Sequence, residues 1–481
     1  MAAKNLSLPV LTPVLTPVLT PVLTPVLTPV LTLVMLFAGM AAQAEDAATQ
    51  DLMAIYQNAL SQDPSWASSR SANLAAQEKL EQGKALYRPT VTLNGDFSES
   101  RTNLDRDLNG SGIDARGNPI GGSGRERFDS WGYSLNVTQP LFRRDNFVQY
   151  QQSRLIVSQA DRQLILDRQN LMLRVTQAYF DVLLAQDSIE LINAQKSAIS
   201  KQLEQAKANF EVGTATITDV NEAQARFDLT TAQEIAAVNQ LEIRKRALQS
   251  IIGNMPQSLA TVREDLNPQI PQPTDMQAWV DLAEQNSLAL AIQQHNFQIA
   301  NREVERMRAG HLPTLDAIAR YSDNRNNGSA SGFAADLEDI TVGLQLAIPI
   351  YQGGAVSSRV REAAANLQKA QEDMEVARRQ ADLETRQAYL DVSSGVAQIR
   401  AFEQALLSSQ SQLDSTNLGY EVGVRTSVDV LNAQQQFYTA KRDLLQARYN
   451  YLISTVRLRY ASGILSEADL AEVNQQLIAK N

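Results

Sequence analysis

The chain has 481 residues, a formal net charge of −10, 6% aromatic residues, two His and no Cys. Little in that balance would neutralise phosphates, which excludes nucleic acid as a general partner. Disulfides, thiolate metal sites, Cys nucleophiles, a lipid-modified N-terminal Cys and a His-rich metal centre are excluded with it, so no cofactor is expected.

Residues 1–44 read as a signal peptide. Lys4 gives a basic start, Val30 to Met40 an apolar core, and Ala42-Gln43-Ala44 a small-x-small cleavage site before Glu45. No physical reading explains the Leu-Thr-Pro-Val repeat between Val10 and Leu31. No later segment has the roughly 18 apolar residues of a membrane helix. A secreted chain of this kind is periplasmic, extracellular, or a barrel in an outer membrane.

Asp51 to Tyr87 is rich in good helix formers and predicts a helix interrupted at Asp63-Pro64. After Arg88-Pro89 the period changes to two: Val91, Leu93 and Phe97 alternate with polar residues, the mark of a strand with one apolar face. A Gly-rich loop follows over 109–124. A second strand then carries Trp131, Tyr133, Leu135 and Val137 and stops at Pro140.

From Leu141 to Met255 there is no proline. Leu164, Leu171, Ala178, Ala185, Ile192, Ile199 and Ala206 recur every seven residues, with a companion row of Val175, Val182, Ile189, Leu203 and Phe210 broken by Lys196. That heptad seam predicts a helix on the order of 100 Å long, packed on others in coiled-coil fashion. Gly213 closes it, because glycine takes the left-handed conformation at little steric cost. Thr216 stands three residues before Asp219, a capping box that restarts a helix running to Ile252.

The stretch 256–275, with Pro256, Pro268, Pro271 and Pro273, reads as a linker, and the order then repeats. A helix is expected over Met276 to Gly310 and a strand over Leu315, Ala317, Ala319 and Tyr321. A polar loop follows over Asn324 to Gly332, then a strand from Ile340 to Ile350. Val392, Ile399, Leu406, Leu413 and Tyr420 continue the second heptad row. Gly423, Thr426 and Asp429 copy Gly213, Thr216 and Asp219 at an offset of 210, as Tyr389 copies Tyr179. Repeats at fixed offset decide the architecture. The chain divides into a signal peptide (1–44), a first repeat (45–255), a linker (256–275), a second repeat (276–465) and a tail (466–481).

Four amphipathic strands suit a wall with lipid on one face. Unpaired edges do not suit a bilayer, where only closed barrels persist. Several copies closing one ring are therefore expected. A surface coiled-coil adhesin would explain the heptads but not the duplicated strand pairs. A periplasmic adaptor would need a membrane anchor or lipid, and one hairpin rather than two.

Tyr420-Glu421-Val422-Gly423-Val424-Arg425-Thr426-Ser427-Val428-Asp429-Val430-Leu431 resembles a motif of the TolC family of outer-membrane efflux and secretion channels. Ala447-Arg448-Tyr449-Asn450-Tyr451, Gly463-Ile464-Leu465 and the copy from Val212-Gly213 to Asp219-Val220 resemble it too, and the likeness covers about 45–481. The resemblance implies a mainly α fold with a small β part. Long α-helical hairpins would form an α-barrel tunnel, with four strands per chain contributing to a trimeric 12-stranded transmembrane β-barrel. It further implies a homotrimer in outer-membrane lipid that is no enzyme. Its partners would be a periplasmic adaptor and an inner-membrane ABC or proton-driven transporter.

By the same resemblance Tyr420 and Arg425 hold a periplasmic gate shut against Thr218 and Asp219, and Asp429 forms an acidic ring in the lumen. The second acidic position of the family falls at Asn432. Capping alone also explains Asp219 and Asp429, and plain packing explains Tyr420. Type I protein secretion is the expected role, favoured by the absence of Cys. Multidrug efflux is the alternative.

Overall fold

A computed structural model describes residues 49–104, 124–263, 265–328 and 334–478, all within one compact unit, Thr49–Asn481. The expected signal peptide, most of the Gly-rich loop over 109–124 and residues 329–332 of the second loop lie outside the described residues.

Two short helices come first, α1 (Leu52–Gln62) and α2 (Pro64–Ala85). Asp51 caps α1 by accepting from the Ala54 amide at 2.8 Å, and Asp63 caps α2 by accepting from Trp66 at 2.7 Å, with Pro64 in the first turn. Strands β1 (Thr90–Leu104) and β2 (Gly124–Phe142) follow, then the long helix α3 (Arg144–Glu211) and its return α4 (Ile217–Ile252). The second half runs α5 (Met276–Asn286), α6 (Leu288–Ala309), β4 (Thr314–Asn326), β5 (Ala335–Ala347), α7 (Ala355–Glu421) and α8 (Ser427–Ala461). Between the halves lies β3 (Thr261–Val262), and the chain closes with α9 (Glu467–Asn474) and β6 (Leu477–Ile478).

The four long strands form one antiparallel sheet in the order β1-β2-β4-β5. The halves meet where β2 pairs with β4. β1 and β5 are left as edges, each with one neighbour among the described residues. Val91, Leu93 and Phe97 on β1 and Ile340, Val342, Leu344 and Leu346 on β5 are all exposed.

Several expectations shift. β2 passes Pro140 and ends at Phe142, because the register breaks between Pro140 and Phe142, and a bulge tolerates a residue with no N–H to donate. The helix expected over 276–310 is two helices. Ser287 leaves helical geometry (ψ 117°) and caps α6 by accepting from the Leu290 amide at 3.3 Å. β5 ends at Ala347, short of Ile350, and Phe210, read as a seam residue, is 44% exposed. The tail contains secondary structure, α9 and β6, with α9 opened by a capping box of Ser466 and Asp469.

The main core sits partway along the long helices. Leu171, Phe180 and Leu183 of α3 meet Leu248 and Ile252 of α4, Val392, Val396 and Ile399 of α7, and Leu452, Val456 and Leu458 of α8. Leu52 and Ile55 of α1 and Leu470 of α9 complete it. Burying each such side chain contributes about 1.5–3 kcal/mol. The proline-rich stretch packs on this waist. β3 pairs with β6, and the Gln269 amide donates to the Tyr451 hydroxyl at 2.9 Å. No helix among the described residues is long and apolar enough to cross a membrane.

Candidate functional site: the paired hairpin tips

Both tips are built alike. Gly213 has φ +77° and Gly423 φ +81°, and no atom lies within 4 Å of where a Cβ would stand on either. The first turn is closed by Gly213 N–H donating to Phe210 O at 3.0 Å and Thr214 N–H to Asn209 O at 2.8 Å. The second repeats this with Gly423 N–H to Tyr420 O at 3.1 Å and Val424 N–H to Gly419 O at 2.9 Å.

Each return helix opens on the expected capping box. Thr216 Oγ1 accepts from the Asp219 amide at 3.2 Å, while Asp219 Oδ2 accepts from the Thr216 amide at 2.9 Å and hydroxyl at 2.7 Å. Thr426 and Asp429 do the same at 3.2, 2.9 and 2.9 Å. The Thr426 amide above all, then its hydroxyl, and finally the charge of Arg425, hold the Asp429 carboxyl below the usual carboxylate range.

The copies differ where chemistry is added. Asn209 in the first half corresponds to Gly419 in the second, Phe210 to Tyr420, and Ala215 to Arg425. A Cβ on Gly419 would lie 2.7 Å from Arg425 Cγ, so the glycine leaves room for the arginine stem. Asn209 keeps its side chain, and its Nδ2 donates to the Tyr420 hydroxyl oxygen at 3.0 Å, joining the first hairpin to the second. A second cross-link runs from Arg226 Nη2 on α4 to Asn432 Oδ1 on α8 at 3.1 Å.

Among the described residues of the single chain, no hydrogen bond or ion pair joins Tyr420 or Arg425 to Thr218 or Asp219. Thr218 and Asp219 lie in the first turn of α4, and the Asp219 carboxylate is turned onto its own cap. Tyr420 meets Asn209 instead. Neither Asn209 nor Arg226 interrupts an apolar row, so apolar periodicity does not single them out.

Comparison with known proteins agrees with this architecture. The model of the outer membrane efflux protein family matches residues 55–254 and 279–464. The chain is 33% identical over 433 residues to outer membrane protein TolC of Vibrio cholerae, covering 89% of this chain and 94% of that one. It is 32% identical over 455 residues to the alkaline protease secretion protein AprF of Pseudomonas aeruginosa, covering 91% and 88%. The solved CmeC outer membrane channel of Campylobacter jejuni shares the fold at TM-score 0.71 and 16% identity, over 90% of this chain and 91% of that one. With a family model matched across both halves and relatives of this identity along nearly their whole length, the chain belongs to the outer membrane efflux protein family.

Proposed function

We propose that three copies assemble into one channel, twelve strands closing a barrel in the outer membrane and the helices continuing it as a tunnel into the periplasm. As a family member the chain is an outer-membrane channel for secretion or efflux that extends into the periplasm, not an enzyme. One observation supports closure by several copies, and three is the number that the family resemblance implies. The sheet ends in two edges, β1 and β5, each of which exposes one row of apolar side chains, Val91, Leu93 and Phe97 on one and Ile340, Val342, Leu344 and Leu346 on the other. Four strands at a spacing of about 5 Å cannot encircle a lumen, and open edges do not persist in lipid. The helices support the same assembly. Val376, Leu383 and Leu390 recur every seven residues on α7 and are exposed, a heptad row suited to a neighbouring copy.

In this reading the tips are the gate. Tyr420 and Arg425 reach Thr218 and Asp219 of neighbouring hairpins in the assembly, and three copies of Asp429 face the lumen and attract cations. Asn432, already bonded to Arg226, adds no second charge. An adaptor and an inner-membrane transporter dock at this end and supply the energy. The role is type I protein secretion, supported by relatives named for protease secretion. Multidrug efflux is the competing role, since other relatives carry efflux names.

Single-channel recording in planar bilayers tests the gate. Arg425→Ser should raise conductance several-fold. Unchanged conductance in a folded trimer sinks the gate reading, and crosslinking in mild detergent that yields only monomer sinks the assembly.

A further inference from the structure

Pairing register sorts the sheet into two faces. Val91, Leu93 and Phe97 of β1 stand opposite Val137, Leu135 and Trp131 of β2, and Ala317, Ala319 and Tyr321 of β4 stand opposite Leu344, Val342 and Ile340 of β5. Side chains alternate along a strand, so the positions between these lie on the other face. That face is polar and includes Thr92, Asn94, Ser134, Asn136 and Ser322. In a closed barrel the apolar face takes the lipid and the polar face lines the lumen.

Arg320 breaks the pattern. It sits at the midpoint of β4 (Thr314–Asn326), on the polar face, opposite Asn136 of β2 and Thr341 of β5. Among the described residues it is exposed, joins no ion pair, and is the one Lys or Arg on the polar face of the four strands. Arg101, Arg127 and Arg325 lie on the apolar face, and each is paired, the first two with Glu99 and the third with Asp323. Carboxylates of the polar face leave Arg320 alone. Asp339, opposite Ser322, accepts from the Thr341 hydroxyl at 2.8 Å, and Asp316 is held by Arg143. Asp96 lies two strands away on β1.

We propose that Arg320 is a specificity-determining residue of the channel, a fixed positive charge at mid-height in the barrel lumen that favours anionic groups of the cargo and opposes small cations. The inference rests on the barrel reading above. Twelve strands about 4.8 Å apart and tilted by about 40° place the wall roughly 12 Å from the axis. A guanidinium reaching inward from that wall comes within about one Debye length of the axis, ~8 Å at physiological salt. The low-dielectric wall behind it focuses the field into the lumen. A guanidinium stays charged at every pH a cell meets, so the charge is permanent.

The chain has no Cys, so a single introduced thiol reports alone. Asn136→Cys places it beside Arg320 on the same face. The test compares its reaction rates with an anionic and a cationic methanethiosulfonate, using the full-length protein in lipid vesicles at about 20 mM salt, where screening is weak. Adding Arg320→Gln should lower the anionic-to-cationic rate ratio by about threefold or more, as a unit charge roughly 7 Å away in water would. Arg320→Lys should keep the ratio within about twofold of the parent, because the charge remains. Salt at about 1 M, with a Debye length of ~3 Å, should erase the difference. An unchanged ratio in Arg320→Gln overturns the proposal, and so does an equal fall in Arg320→Lys, which would mark a change of structure rather than charge. Val137→Cys, on the apolar face, should resist both reagents. If it reacts as fast as Asn136→Cys, the barrel reading falls and the proposal with it. If it resists while the ratio stays unchanged, the barrel reading stands and the proposal alone falls. Should Asn136→Cys fail to assemble, Thr341→Cys, the other register neighbour of Arg320, carries the same comparison.

Discussion

Tyr179 and Tyr389 hold equivalent places in the two halves, and each donates its hydroxyl to a carbonyl of the proline-rich stretch between them, Ala260 at 2.8 Å for one and Thr274 for the other. One duplicated residue thus fastens both ends of that segment. Their surroundings differ. Tyr179 is fully buried, and burial pushes its phenol far above the usual range, whereas Tyr389 is partly open to water. Tyr179→Phe leaves a buried carbonyl short of a donor and should destabilise by about 1–3 kcal/mol. Tyr389→Phe should change stability by less than about 0.5 kcal/mol, since water replaces its hydroxyl. Urea unfolding midpoints of the two variants check the difference.

Two glycines with left-handed backbones should respond very differently to alanine. Gly463 (φ +74°) packs against the break between α5 and α6, and a Cβ there would stand 2.3 Å from the Asn286 carbonyl oxygen. Backbone has nowhere to yield, so Gly463→Ala should prevent assembly. Gly213→Ala meets open space and carries only the left-handed strain of about 1–2 kcal/mol. Yield of assembled protein in the outer-membrane fraction separates the two.

Arg143, between β2 and α3, makes a two-pronged ion pair with Asp316 of β4, Nε to Oδ1 at 2.9 Å and Nη2 to Oδ2 at 2.7 Å. The Asp316 side chain is only 9% exposed, so Arg143→Ala strands a carboxylate away from water. A loss of about 3 kcal/mol is expected, near the low end for a broken buried pair because Arg143 itself is 37% exposed. The double variant Arg143→Leu/Asp316→Leu, which removes both charges, should recover most of it. The temperature at which the assembled form dissociates in detergent measures both.

Acidification should loosen the second tip. The Asp429 carboxyl is held low by its cap, so the bonding is complete above the unfolded carboxylate value of about 4 and is lost as pH falls through the lower folded value. Three carboxylates facing one lumen would push the other way. The cap acts at hydrogen-bond distance and the repulsion across screened water, so the cap prevails. Protection of the amides at Asp429 and Val430 should be flat from about pH 8 to 5 and fall below about pH 4. A midpoint above 5 would mean that repulsion wins. Asp429→Asn should weaken protection across the whole range.

The tips were legible because their chemistry is local. Gly213, Thr216 and Asp219 lie within one turn of chain and interact at that separation, and the copy 210 residues later repeats the signal. The break at Ser287 carries a local cap, but the packing of Gly463 against Asn286 at that break joins residues far apart in the chain. Asn209 offered no periodic apolar signal, and its role depends on which hairpin stands beside it.

The amino-acid order alone determined the long helical hairpins, the presence of four long strands, the tips and the repeat of 210 residues, since period and capping are properties of neighbouring residues. Tertiary structure alone decided that β2 pairs with β4, that the linker and tail join through β3 and β6, and that Tyr420 meets Asn209. Those pairings bring together groups with no sequence period in common, and they are chosen by what each surface can bury once the long helices lie side by side.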